Sequence, residues 1–106
     1  MNTFKNAGVA IGTSRTTVYT TPAGRQSVIH ALYISNIDSV NDADVTIEVT
    51  IDGGTTYRHI AKAISVPANS TLILDKPINM EAGDILGLTA SVAGDLEVFA
   101  SILEIS

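Results

Sequence analysis

Cysteine is absent from the 106 residues, and with it go disulfides, thiolate metal sites and thiol nucleophiles. That absence selects no redox compartment, because a thiol-free chain folds equally well in any. Tryptophan is missing too, and the aromatics amount to five: Phe4, Tyr19, Tyr33, Tyr57 and Phe99. None interleaves with a basic stripe and the net charge is −5, which together argue against nucleic acid as a partner. No apolar run approaches the roughly 18 residues of a membrane helix, so no membrane partner is expected. The opening Met-Asn-Thr-Phe-Lys-Asn-Ala-Gly has no apolar h-region, and a secretory start is not expected. A helical period is missing throughout.

Chemistry-bearing residues are equally sparse. The two histidines, His30 and His59, fall inside predicted strands. His30 alternates with Val28 and Leu32, which predicts a packed imidazole on an apolar face, while His59 shares a face with Tyr57 and Ala61. Strand phase brings neither histidine to a carboxylate. No serine sits in a nucleophile elbow and no carboxylate pair has glycosidase context. The expectation is a protein that is not an enzyme, with no catalytic residue, cofactor or metal assigned. The stretch around Asn36, Asp38, Asn41, Asp42 and Asp44 offers hard oxygens to calcium, but its spacing is not that of an EF-hand. Gly53-Gly54 and Gly83 make no phosphate cradle, since no helix follows them. Tyr19, Tyr57 and Arg58 keep a glycan-binding module open as an alternative.

What the chain does have is a period of two. Asp44–Asp52 reads D-V-T-I-E-V-T-I-D, placing Val45, Ile47, Val49 and Ile51 on one face and Thr46, Glu48 and Thr50 on the other. Strict alternation of β-branched residues predicts a strand with one face buried. Further strands are expected at 16–20, 26–37, 56–65, 72–75, 85–92 and 96–105, with one more near 7–12. Gly, Pro, Asn and Asp turns separate them, and Asp52-Gly53-Gly54 signals a hairpin. Pro22-Ala23-Gly24, Pro67-Ala68-Asn69 and Glu81-Ala82-Gly83 recur just before strands, predicting one turn solution used at successive sheet crossovers. The fold class is all-β, a single-domain antiparallel sandwich, jelly-roll-like, of about seven to eight strands. One domain is all this length allows, and folding should bury roughly two thirds of the chain's surface.

Two strands hold more apolar surface than a sandwich needs. In the 28–37 strand, Val28, Leu32 and Ile34 take one face and Ile29, Ala31, Tyr33 and Ile37 the other. In the 96–105 strand, Leu96, Val98, Ala100 and Ile102 face one way and Phe99, Leu103 and Ile105 the other. An outward face on an antiparallel sheet is normally polar. Six large outward residues (Ile29, Tyr33, Ile37, Phe99, Leu103, Ile105) each gain roughly 1.5–3 kcal/mol on burial, and predict a cover: either the N-terminal fourteen residues and the longer loops, or an interface with a neighbouring subunit. Charge is divided as well: residues 1–37 carry Lys5, Arg15 and Arg25 and no acid, while the remainder nets −8. Residues 1–14 are therefore expected to be an N-terminal docking arm on a sandwich of residues 15–106. Phe4, Lys5, Val9 and Ile11 would be its anchors, with Arg15 and Arg25 as steering charges.

The order of features resembles a known family. Phe4-Lys5-Asn6-Ala7-Gly8-Val9 is followed by Thr17-Val18-Tyr19-Thr20-Thr21-Pro22-Ala23-Gly24 and Tyr33-Ile34-Ser35-Asn36-Ile37-Asp38. Then come Ile64-Ser65-Val66-Pro67-Ala68-Asn69-Ser70, Asn79-Met80-Glu81-Ala82-Gly83-Asp84 and the closing Leu96-Glu97-Val98-Phe99-Ala100-Ser101-Ile102-Leu103-Glu104-Ile105. In that order they resemble small β-sandwich virion structural proteins of tailed bacteriophages, those of marine bacteria in particular. The resemblance implies a virion location and structural work, with no catalytic residues to carry over. The resemblance does not place the protein within the particle; the expected role is a head decoration (cement) protein on the outer capsid, with a neck, tail or fibre-associated one as the alternative. Its partners would be the major capsid protein or other virion proteins, together with its own copies, a trimer being favoured.

Overall fold

The computed structural model describes residues 2–106 and contains nine strands. They are β1 (Thr3–Ala10), β2 (Thr16–Thr20), β3 (Gln26–Asn36), β4 (Ala43–Thr50), β5 (Arg58–Val66), β6 (Thr71–Leu74), β7 (Ile78–Met80), β8 (Ile85–Ala90) and β9 (Leu96–Ile105). Sheet A runs β1-β9-β3-β6, with β7 also on β3, and sheet B runs β2-β8-β4-β5. Every pairing is antiparallel. The result is a single-domain β-sandwich.

Alternation places the core. Val45, Ile47 and Val49 of β4 and Leu86, Leu88 and Ala90 of β8 are buried from sheet B, and meet Leu32, Ile34, Val98, Ala100 and Ile102 of sheet A. Only β4 and β5 form the expected hairpin, where Gly53 and Gly54 take positive φ of 76° and 103°. Thr50 Oγ1 accepts the Gly54 N–H at 3.0 Å and Asp52 Oδ1 accepts the Thr56 N–H at 2.9 Å, which fixes the loop from both sides. The Thr56 N–H, and then the Thr50 hydroxyl donating to Asp52 Oδ1 at 2.8 Å, hold the Asp52 carboxyl below the usual carboxylate range.

The recurring three-residue pattern is one turn used at three sheet crossovers. Arg25 N–H donates to Pro22 O (3.2 Å), Ser70 N–H to Pro67 O (3.1 Å) and Asp84 N–H to Glu81 O (3.0 Å). The third residue of each is left-handed: Gly24 at 76°, Asn69 at 60° and Gly83 at 86°. Asparagine stands in for glycine at the second of these because it tolerates that region better than other residues with a Cβ. A Cβ built on Gly83 touches nothing within 4 Å, so a substitution there is resisted by backbone strain alone. Gly83→Ala should lower stability by about 1 kcal/mol in urea unfolding, whereas Asn69→Gly should shift it by less than about 0.5 kcal/mol.

Several expectations need correction, among them Ile51, expected on the buried face of β4 but 75% exposed just past its end. The register of β3 on β9 shifts between Ile29 and Ala31, a bulge that inserts one residue and reverses the phase of everything before it. Ile29 therefore points inward and is fully buried beside Leu32, and is not part of an outward face. His30 is the inserted residue and lies exposed, not packed among apolar neighbours. Ile11, expected as a docking anchor, is 1% exposed and belongs to the core, its N–H donating to Leu96 O at 2.9 Å. β7 was not foreseen, being only three residues long and directly after Pro77.

Candidate interaction surface

The outer face of sheet A is built in rows fixed by register. Gly8 of β1 lies opposite Phe99, Phe99 opposite Tyr33, and Tyr33 opposite Ile73 of β6. Alternation puts the flanking Leu32, Ile34, Val98 and Ala100 inside, so Phe99, Tyr33 and Ile73 have no side to take but the outside. They remain 46%, 39% and 54% exposed, and the Tyr33 and Phe99 rings tilt together with centroids 6.4 Å apart. A second row joins Phe4, Leu103 and Val28, with Phe4 82% exposed. Beyond the aromatic row lies a polar one, Glu97, Ser35 and Thr71, in which the two hydroxyls hydrogen-bond at 3.1 Å. Shallow grooves of about 410 and 400 Å³ flank Phe99, the first bordered by Val9, Ala10, Tyr33 and Ser35, the second by Phe4, Asn6, His30 and Ser101. No strand among the described residues covers this face.

The other expected surface residues are scattered around it. Lys5 and Val9 lie on the edge strand β1, exposed, while Leu103 and Ile105 are half-buried on β9. Ile37, 57% exposed, follows β3 on the loop side, where its N–H donates to Asp95 O at 2.8 Å. Ile73 completes the aromatic row and was missed. Its signal was present in Leu72-Ile73-Leu74, whose middle residue must face opposite to its neighbours.

Arg15 and Arg25, the expected steering charges, are held by carboxylates of their own chain. On the outer face of sheet B, Arg15 Nε and Nη2 reach Glu48 Oε1 and Oε2 at 3.2 and 3.4 Å, and its guanidinium lies 3.6 Å over the Tyr57 ring. His59 Nε2 comes within 3.5 Å of the same Glu48, contrary to the phase expected from sequence. Register shifts on both sides of Ile47 bring Glu48 opposite His59. Glu48 is buried beneath these side chains on an open sheet face, and the cluster ties β4, β5 and the β1–β2 connection together. At the far end Tyr19 crosses from sheet B to sheet A, donating to Glu104 Oε2 at 2.6 Å and hydrogen-bonding Ser27 Oγ at 2.7 Å. Arg25 Nη1 stands 3.8 Å from Glu104 Oε1. Burial, then the Glu104 carboxylate, pushes the Tyr19 phenol up from its ordinary value. Tyr19 and Tyr57, the tyrosines of the glycan alternative, are thus both engaged within the fold.

The acidic loop is organised by its own backbone. Asp38 Oδ1 accepts the Val40 and Asn41 N–H groups at 2.7 and 3.0 Å, which holds its carboxyl below the usual range. Asp42 Oδ1 takes the Ala68 N–H at 3.0 Å. Among the described residues no three acidic or histidine side chains gather as a metal cluster. Asp95 is raised by burial and by the neighbouring Asp38.

No protein-family profile matches the chain, and no curated protein matches it. Solved structures share its fold. A chain of the Bacillus endospore appendages, a family of disulfide-linked pili, aligns over 100% of this chain and 87% of its own, with 13% identity and a TM-score of 0.61. A chain of the acid-stable capsid of Helicobacter pylori bacteriophage KHP30 aligns over 99% of this chain and 87% of its own, with 9% identity and a TM-score of 0.56. A chain of infectious bursal disease virus, Gx strain, aligns over 98% of this chain but 28% of its own, with 14% identity and a TM-score of 0.51. At these identities the likeness is one of fold.

Proposed function

We propose that this chain is a structural, non-catalytic component of a virus particle, and within it a decoration (cement) protein bound to the outer head lattice of the major capsid protein. The observation that carries the reading is the uncovered row Phe99–Tyr33–Ile73, an apolar band on a sheet face that a solitary sandwich would keep polar. The fold it shares with a chain of a bacteriophage capsid supports a virion setting, as do the sequence features quoted above. Repetition on a lattice adds effective concentration, so each such contact need only be modest. The arm of residues 1–14 enters as β1 at the margin of this face, with Ala7 packed against the core and Ile11 within it (Met1 lies outside the described residues). The second reading, a neck, tail or fibre-associated subunit, draws on the fold shared with a pilus-forming chain.

Immunogold labelling of intact particles with an antibody to the chain tests this. Label over the head is the expected result, and label confined to the tail selects the second reading. Particles that carry no label overturn both.

A further inference from the structure

We propose that two copies of this chain join edge to edge through β1, antiparallel about a two-fold axis at Asn6, so that sheet A continues from one copy into the next. The inference does not depend on the virion reading, since it concerns only how the chain meets itself.

The sheet edges are not alike. β5 shifts register twice on β4, carries Arg58 and Lys62, and holds Ala63 at a φ of 53°. β2 is five residues long with a register shift, and β6 and β7 are only four and three residues long. Shortness, bulges and charge are the features that stop an edge from recruiting another strand. β1 has almost none of them. Its eight residues register on β9 without a shift, contain no proline, and carry Lys5 as the single charge. Its second row of backbone N–H and C=O groups is open to a further strand.

The sequence of β1 fits a copy of itself. For inner faces to stay inner across the join, paired residues must lie on the same side of both strands. Centring on Asn6 meets this and places Phe4 opposite Gly8 of the second copy, twice over. Gly8 faces outward beside Phe99, where a Cβ would have Val98 O at 3.7 Å and Phe99 Cδ1 at 3.8 Å. An aromatic side chain laid across a glycine from the neighbouring strand shields its backbone. Phe4, which its own chain leaves 82% exposed, then extends the row Gly8–Phe99–Tyr33–Ile73 of the other copy. Lys5 falls opposite Ala7, so no like charges meet. Centring on Lys5 would oppose two ammonium groups, and centring on Ala7 would put Phe4 against Ala10 and lose both Phe–Gly pairs.

The chain has no cysteine, so single-cysteine variants report the pairing directly. In Asn6→Cys the two thiols face each other across the axis, with Cα atoms about 4.5–5.5 Å apart, within disulfide range. Mild oxidation should give a covalent dimer with Asn6→Cys, while Phe4→Cys, whose thiols would be about 13 Å apart along the strands, stays monomeric. Adding Phe4→Ala to Asn6→Cys should weaken the reduced dimer about tenfold in sedimentation equilibrium, with the circular dichroism of the fold unchanged. The proposal is overturned if Asn6→Cys remains a monomer, if Ala7→Cys cross-links in preference, or if all positions cross-link alike. A head-labelling result of either sign leaves this outcome untouched.

Discussion

Glu104→Ala is expected to lower the free energy of unfolding by about 3 kcal/mol, from loss of charge-assisted hydrogen bonds inside the fold. Glu104 is 4% exposed, and its carboxylate accepts the Tyr19 hydroxyl at 2.6 Å while facing Arg25 at 3.8 Å. Truncation leaves the Tyr19 hydroxyl to its hydrogen bond with Ser27 Oγ at 2.7 Å, leaves Arg25 without its counter-charge, and opens space between the sheets. Glu104→Gln keeps an acceptor of the same shape and should cost less, about 1–2 kcal/mol. The Tyr19–Glu104 pair should show a coupling of about 1–2 kcal/mol in a double-mutant cycle with Tyr19→Phe, because the two groups share one hydrogen bond. A pH dependence follows with a definite sign. The folded Tyr19 phenol titrates above its ordinary 10.0, so the folded state holds the proton more tightly than the unfolded one. The stability this lends is complete below pH 10.0 and is lost as pH rises through the folded value. Urea midpoints taken from pH 8 to 11 should therefore fall more steeply at the alkaline end for the parent chain than for Tyr19→Phe. A Glu104→Ala loss below about 1 kcal/mol, or equal alkaline slopes, would show that the tie between sheets carries little.

Much of this architecture is readable from residues alone, because alternation and turn chemistry are local. Val45 to Val49 could only be a strand with one dry face, and the three positive-φ turns announce themselves by Gly or Asn at the third position. Tyr33 and Phe99 were readable as outward for the same reason. What escaped were features that depend on a neighbour. The bulge at His30 adds one residue to β3 without any compositional mark, since Val28-Ile29-His30-Ala31-Leu32 is apolar on both phases. It moved Ile29 from the surface to the core and His30 the other way. β1 shows no alternation because both its faces are largely exposed, and its strand character comes from pairing with β9. Ile11 was assigned to the arm by position, whereas its burial is set by Leu96 on a strand 85 residues later. The meeting of Glu48 with His59 likewise rests on irregular register, which no period in either strand records.

Gly87→Ala should destabilise the protein by about 2 kcal/mol, the opposite of what strand propensity and unfolded-state entropy predict for removing a mid-strand glycine. The propensity argument favours alanine by roughly 0.5–1 kcal/mol. Against it stands a contact: a Cβ on Gly87 would lie 2.9 Å from Arg15 Cγ and 3.0 Å from Cδ. These atoms are near the root of the side chain and its guanidinium is fixed at both ends, by Glu48 at 3.2 Å and by the Tyr57 ring at 3.6 Å. Arg15 therefore cannot yield without leaving Glu48, and Glu48, 7% exposed, would be left with the His59 imidazole at 3.5 Å. An under-compensated buried carboxylate outweighs the backbone gain, which decides the sign. The same reasoning makes the effect conditional on Arg15. In an Arg15→Ala background, itself costly for the same carboxylate, the added methyl meets the Thr16 carbonyl oxygen at an ordinary 3.7 Å, and Gly87→Ala should become neutral or stabilising by about 0.5 kcal/mol. Urea unfolding of the four chains in the cycle measures both arms. Equal effects of Gly87→Ala in the two backgrounds would mean that the glycine answers to its own backbone and not to the arginine laid over it.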